Sequence, residues 1–314
     1  MKKRRTATGL ISLASGVALL ALQACQDETS PASREAPFEI SGVVRATHLD
    51  EISGIEAGLS SEWIVHNDDG AAEVHLIDAV GNFLTTIKIQ GAKNRDWEDL
   101  TTLPGDDGPL LVIADSGDNL QVRGDITLYF VPLPVMDASG NYPKALKLIH
   151  KVKLRYPDGA RDCESLAFDP VSGSLLLLSK RDTPPRLYGI DAKAALQQKE
   201  MQLEFLGEVP KLRPPSPSDL LRDPDRGAWY SQPTGMAISG DGNTAAVITY
   251  RSLYLFRRQA GQSWAEALAG QPQEFVGPPG RSDEAVTFRM DQDSAVVISE
   301  GVPATLYELG YDRP

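Results

Sequence analysis

The chain has 314 residues, with 31 lysines and arginines against 43 aspartates and glutamates, so its formal charge is −12. A chain of this length buries a substantial core in one large domain or two, and its acidic balance excludes a nucleic-acid partner, whose phosphates demand a basic footprint. The same balance suits cation binding or plain solubility.

The first segment, MKKRRTATGLISLASGVALLALQAC, has a basic start at Lys2, Lys3, Arg4 and Arg5, an apolar run from Gly9 to Leu22, and a small-residue exit. The run is short of the roughly 20 residues a membrane span needs. Its end, LQAC, resembles a bacterial lipobox, which implies cleavage after residue 24 and lipidation of Cys25 as a membrane anchor. The alternative is an ordinary signal peptide with an incidental cysteine. Gln26, where an aspartate would retain a lipoprotein at the inner membrane, favours the outer membrane. Residues 25–37, continuing QDETSPASREAP, read as a flexible tether, and 38–314 as a single domain. With Cys25 lipidated, Cys163 has no partner, so there is no disulfide framework. Cys163 lies against SLAF and reads as a small core residue rather than a nucleophile. Removing residues 1–24 moves the formal charge to −16.

From residue 50 onward an acid-then-apolar motif recurs: DEISGI, DWEDL, RDCESLAF and SDEAVTF, with QPTGMAI as a copy in which Thr-Gly replaces the acids. Aligned on their first core residues, Ile55, Leu100, Leu166, Met236 and Val286, the copies are spaced by 45, 66, 70 and 50 residues. Each copy is followed by an apolar run with a polar end (WIVHNDDG, LLVIADSGDN, LLLLSKRD, AAVITYRS, AVVISEG). A segment that often contains Leu-Tyr comes next (VHLID, ITLYFVP, RLYGID, SLYLF, TLYEL). A fourth run closes most units, as in FLTTIKI, LKLIHKVKL and LEFLGEV, and DAVG, DPVSG and SGDG between runs are hairpin turn chemistry. Four short strands at this period predict an all-β fold, a β-propeller. After TLYEL the chain ends one strand short, and FEISGVVRA at 38–46 can supply the missing strand and close the ring. That economy favours five blades, with a sixth possible in the long 167–235 interval. A β-sandwich is the competing fold, but it would not require one motif order five times.

Strand direction then brings the acids together. If the innermost strand of each blade starts at one face, the second strand returns to it, so the residues before strand one and after strand two converge around the central channel. This predicts a ligand face with Glu98, Glu164, Lys180, Arg251, Glu284 and Glu300. Asp68, Asp69, Asp96, Asp99, Asp115, Asp118, Asn119, Asp162 and Asp283 are the candidate metal ligands. Calcium suits a crowd of oxygen donors in irregular geometry, whereas His48, His66, His75 and His150 show no zinc-ligand spacing. Against this stands the bland role of Asp and Asn as turn formers.

DWEDL, IADSGDN, RYPDGARDCESLAFDP, LLLLSK, ITYRSLYLF and VISEG, in that order, resemble a family of bacterial secreted and lipoprotein β-propellers with DWEDIA, GDIGDN, YPDGPRDAEAL, LVTK, RTY and VSEG. More remotely, EISGI with NDDG resembles the SdiA-regulated and esterase-like phytase propellers. Asp115, Asp118, Asn119, Asp162, Glu164, Lys180, Arg251 and Glu300 match the nearer family's pattern. Cys163 and Ser116-Gly117 depart from it. The resemblance implies a fold and a location and brings no activity with it. Two functions follow as expectations: a lipid-tethered, monomeric module that binds a small-molecule or envelope ligand, or a calcium-dependent phosphoester hydrolase of the phytase-like kind. A non-catalytic envelope scaffold is the third.

Overall fold

The structure, a computed structural model, describes residues 34–35, 38–277, 282–290 and 294–311. The leader, Cys25 and most of the tether lie outside the described residues. Within the domain, five sheets are each built on antiparallel strands that run outward from an innermost strand, in chain order save where an N-terminal strand joins the outer edge of blades 4 and 5. The innermost strands are Ile52–Ala57, Trp97–Leu103, Cys163–Asp169, Pro233–Ile238 and Asp283–Phe288. Each packs against the next, and the fifth packs against the first, which closes a five-bladed β-propeller.

The apolar runs of the sequence are continuous because a blade is buried on both faces. Leu111 and Ile113 pack toward blade 1, whereas Val112 and Ala114, one residue out of phase, pack toward blade 3. Leu175 and Leu177 face blade 2 while Leu176 and Leu178 face blade 4. Five apolar cores result, one at each blade interface. The ring is closed as the leftover segment requires: Glu39–Val44 pairs antiparallel with Ala304–Gly310 as the outer strand of blade 5.

The long spacings come from strand exchange and an insertion, and the described residues form no sixth blade. Ala145–Lys147 pairs in parallel with the outer strand of blade 1, and Glu200–Gln202 with that of blade 2, each covering an edge that would otherwise stay open. Residues 209–232 form the connection into blade 4. It carries a helix, Pro217–Arg222, started by a Ser216–Asp219 capping box, and a 3-10 turn at Gly227–Trp229.

Candidate active or binding site

Every blade breaks its ladder at the same place. The register shifts between Ile52 and Gly54, Trp97 and Asp99, Cys163 and Leu166, Pro233 and Gly235, and Asp283 and Ala285. A β-bulge leaves its extra residue outside the ladder and re-aims its side chain. The residues so released are Ser53, Glu98, Glu164, Thr234 and Glu284. Ser53 Oγ donates to the Glu98 carbonyl at 2.9 Å and to Glu98 Oε2 at 3.0 Å, and Thr234 Oγ1 donates to the Asp283 carbonyl at 2.8 Å. Those two hydroxyls tie neighbouring blades. The three glutamates line a polar cavity of about 170 Å³ at the mouth of the channel.

The second set of lining residues follows from the returning strand. Asn67, Asp115, Ser179, Thr249 and Ser299 pair with the first residue of each innermost strand. The residues one step further on are Asp68, Ser116, Lys180, Tyr250 and Glu300, and all but Ser116 line the cavity. The preceding residues point the other way and organise the outer hairpin. Ser179 Oγ accepts from Arg186 N, Ser299 Oγ from Thr305 N, and Thr249 Oγ1 from Ser252 N.

Burial and crowding set the electrostatics. Burial first, then the charges of Glu164 and Asp96, hold the Glu98 carboxyl well above the usual carboxylate range. Burial and Glu164 do the same to Glu284. Burial pushes Glu164 up to about 7, even though its Oε1 forms a short ion pair with Lys180 Nζ. Burial alone would depress the Lys180 ammonium, but Glu164 beside it keeps it charged. Lys180 also donates to Tyr250 Oη at 2.9 Å. At the rim, burial and then Glu51 push Asp68 up to about 6.

Glu98, Asp162 and Glu164, all buried, each offer an oxygen within 4.8 Å of the others. Asp162 is held in place: Oδ1 accepts from Asp118 N at 2.9 Å and Oδ2 pairs with Arg181 Nε at 2.6 Å. Glu164 Oε2 is buried and has no hydrogen-bond partner among the described residues. An orphaned carboxylate oxygen beside two other carboxylates fits a hard cation with oxygen ligands, and no histidine or cysteine joins the group. Gly117 makes the crowding possible, since a Cβ there would lie 2.1 Å from Glu98 Oε1 and 2.4 Å from Asp96 Cγ. Glu51, Asp68 and Asp69 form a second, more exposed acidic group at the rim. Exposed Asn119 also lines the mouth, and its Oδ1 accepts from Arg181.

Five of the expected residues lie elsewhere. Asp115 falls at the outward-facing position and pairs with Arg123 at 2.7 Å, and Asp118 Oδ2 accepts from Arg123 N, so both build their loop. Asp99 lies deeper, its carboxylate accepting from Leu100 N at 2.8 Å and Leu166 N at 2.7 Å, and so joins blades 2 and 3. Asp283 occupies the core position held by Ile52, Trp97, Cys163 and Pro233 in the other blades; it is buried without a partner among the described residues. Arg251 turns outward to Asp219 at 2.6 Å, and its neighbour Tyr250 takes the place at the mouth. Glu51, Ile52, Ser53 and Tyr250 are the lining residues that sequence reasoning missed. The blade-to-blade alignment already carried their positions, but Ile52, Ser53 and Tyr250 are uncharged and Glu51 lies in the degenerate DEISGI copy of the motif.

A larger, apolar cavity of about 340 Å³ opens where the innermost strands end, lined by residues such as Leu103, Phe168, Ile238 and Phe288. Its half-buried carboxylate, Glu56, is engaged by Ala57 N, Thr102 N and Thr287 Oγ1. Convergent polar groups without partners lie at the acidic mouth, which is therefore the candidate site.

The fold and the ring together define a five-bladed β-propeller with an acidic central mouth. No family model matches the chain, and no curated protein sequence matches it. Among solved structures, the chain is similar to the PQQ-bound aldose sugar dehydrogenase of Streptomyces coelicolor, 13% identical over 90% of this chain and 99% of that one, with a TM-score of 0.50. It is also similar to a gluconolactonase of Xanthomonas campestris, 14% identical over 82% of this chain and 72% of that one, with a TM-score of 0.43. At such identities the likeness is one of fold alone.

Proposed function

We propose that the protein is a cell-envelope binding module that holds a divalent cation at Glu98, Asp162 and Glu164 and, through it, a small polar ligand in the central mouth. The observation that carries this reading is the buried Glu164 carboxylate, which offers an oxygen within 4.8 Å of oxygens of Glu98 and Asp162 and whose Oε2 has no partner among the described residues. Calcium suits the donor set, because it takes six to eight oxygens in irregular geometry. The lipobox at LQAC supports a lipid anchor on Cys25, with the outer membrane as its destination. Thermal unfolding with calcium and with a chelator tests the cation site. An upward shift of several degrees in wild type, lost in Glu164→Gln, is the expected result. No shift in wild type removes the metal. Labelled palmitate incorporation that is absent in Cys25→Ser tests the anchor.

A metal-dependent hydrolase is the second reading. Glu98, Asp162 and Glu164 would hold an ion whose chemistry is to activate a water, and Lys180 and Tyr250 line the same cavity to bind and orient a substrate. Turnover of phosphomonoesters and lactones by wild type, abolished in Glu164→Gln, would establish it. Inert wild type on every substrate leaves the binding module.

A further inference from the structure

We propose that the ligand of the central mouth is amphipathic, with a neutral polyhydroxyl head at the cation and an apolar substituent in a second, proline-walled cavity beside it. This rests on the cation reading above. The second cavity measures about 290 Å³ and shares Lys180 with the acidic one. One wall is the loop that follows the second strand of blade 3, with Pro184 and Pro185; the other is the 209–232 insertion, with Pro210, Leu212, Pro214 and Pro215. Proline rings present C–H surface, lack an N–H and hold a fixed φ, so such a wall is apolar and rigid. Gln232 Oε1, which lines this second cavity, is buried and has no partner among the described residues, which leaves one acceptor there for a donor on the ligand.

Two consecutive residues of blade 4 couple the compartments. Tyr250 lines the acidic cavity. Arg251 braces the insertion, with Nη1 donating to the Arg213 carbonyl at 3.0 Å and the Pro214 carbonyl at 3.2 Å, and Nη2 to Asp219 Oδ2 at 2.6 Å. Arg251 is thus a positioning residue for the apolar wall.

The head chemistry follows from charge. Glu51, Asp68, Glu98, Glu164 and Glu300 face one lysine in the acidic cavity, so even with Glu284 kept protonated by its surroundings the field stays negative with a divalent ion bound and repels an anionic head. A cationic head would meet the ion and Lys180. Vicinal hydroxyls bring two oxygen ligands to the ion without adding charge.

The test uses the mature chain in excess calcium and matched methyl and phenyl glycosides of the common hexoses and pentoses, with affinities from calorimetry. The phenyl member of a bound pair is expected to bind about tenfold more tightly, as burial of the ring in an apolar cavity requires. Ser231→Phe and Ala228→Phe, each placing a ring in the cavity, reduce the phenyl-to-methyl ratio toward one. Arg251→Met reduces it as well, and Arg251→Lys restores part of it. Calcium stabilisation with phenyl and methyl glycosides bound alike overturns the apolar subsite and leaves the cation site standing. Calcium stabilisation with no glycoside bound overturns the polyhydroxyl head. No calcium stabilisation overturns the cation reading itself.

Discussion

Glu164→Gln separates the carboxylate ring from the rest of the fold through its pH dependence. The Glu164 carboxyl sits at about 7 against 4.5 for a free glutamate, raised first by burial and then by Asp162, with Lys180 opposing. Between those values the folded protein holds a proton that the unfolded chain has released, so metal-free stability falls as pH rises through the interval. At about 1.4 kcal/mol per pH unit, Glu164 removes roughly 2–3 kcal/mol between about pH 5 and pH 8. Buried His66 and His75, both lowered to about 4 by burial, act in the opposite direction up to about pH 6.5 because the unfolded chain then binds the extra protons. They cancel when wild type is compared with the variant. The expected result is that Glu164→Gln gains roughly 2 kcal/mol on wild type between about pH 5 and pH 8 in chelator, read from urea unfolding. Added calcium reverses the wild-type profile, because the ion requires the ionised carboxylates, and it leaves the variant unaffected. A wild-type minus variant difference that is flat with pH would refute the proton-holding ring.

Gly117→Ala places a Cβ 2.1 Å from Glu98 Oε1, so it is expected to displace the carboxylates, cost about 1–3 kcal/mol and weaken calcium binding measured by calorimetry; unchanged calcium affinity would place the ion elsewhere. Asp99→Ala deprives buried Leu100 N and Leu166 N of their acceptor, an expected loss of roughly 2–6 kcal/mol at about 1–3 kcal/mol for each group, visible as a lower urea midpoint. Deleting residues 38–46 removes the strand Glu39–Val44 and bares the edge of Ala304–Gly310. Gel filtration is expected to show oligomers or aggregate, and a stable monomer would mean the closing strand is dispensable.

The sequence by itself determined the order of the blade motifs and favoured five blades, and the paired strands then excluded the sixth that the 167–235 interval had left open. Ile55, Leu100, Leu166, Met236 and Val286 occupy one equivalent rung in all five sheets, opposite Val65, Ile113, Leu177, Val247 and Val297. A strand buried on both faces leaves a continuous apolar run that local composition reveals, and the unmatched segment at 38–46 had one open edge to fill. It also placed Glu98, Glu164, Lys180, Glu284 and Glu300 at one mouth, because antiparallel return is a matter of strand direction. Only the tertiary structure decided which neighbour faces in. Five bulges select Glu98 over Asp99 and Glu284 over Asp283, and the turn after the second strand selects Tyr250 over Arg251 and leaves Asp115 to its arginine. A one-residue change of phase sends a side chain to the opposite face, and the bulge that sets the phase is a property of paired strands, which composition along one strand does not encode.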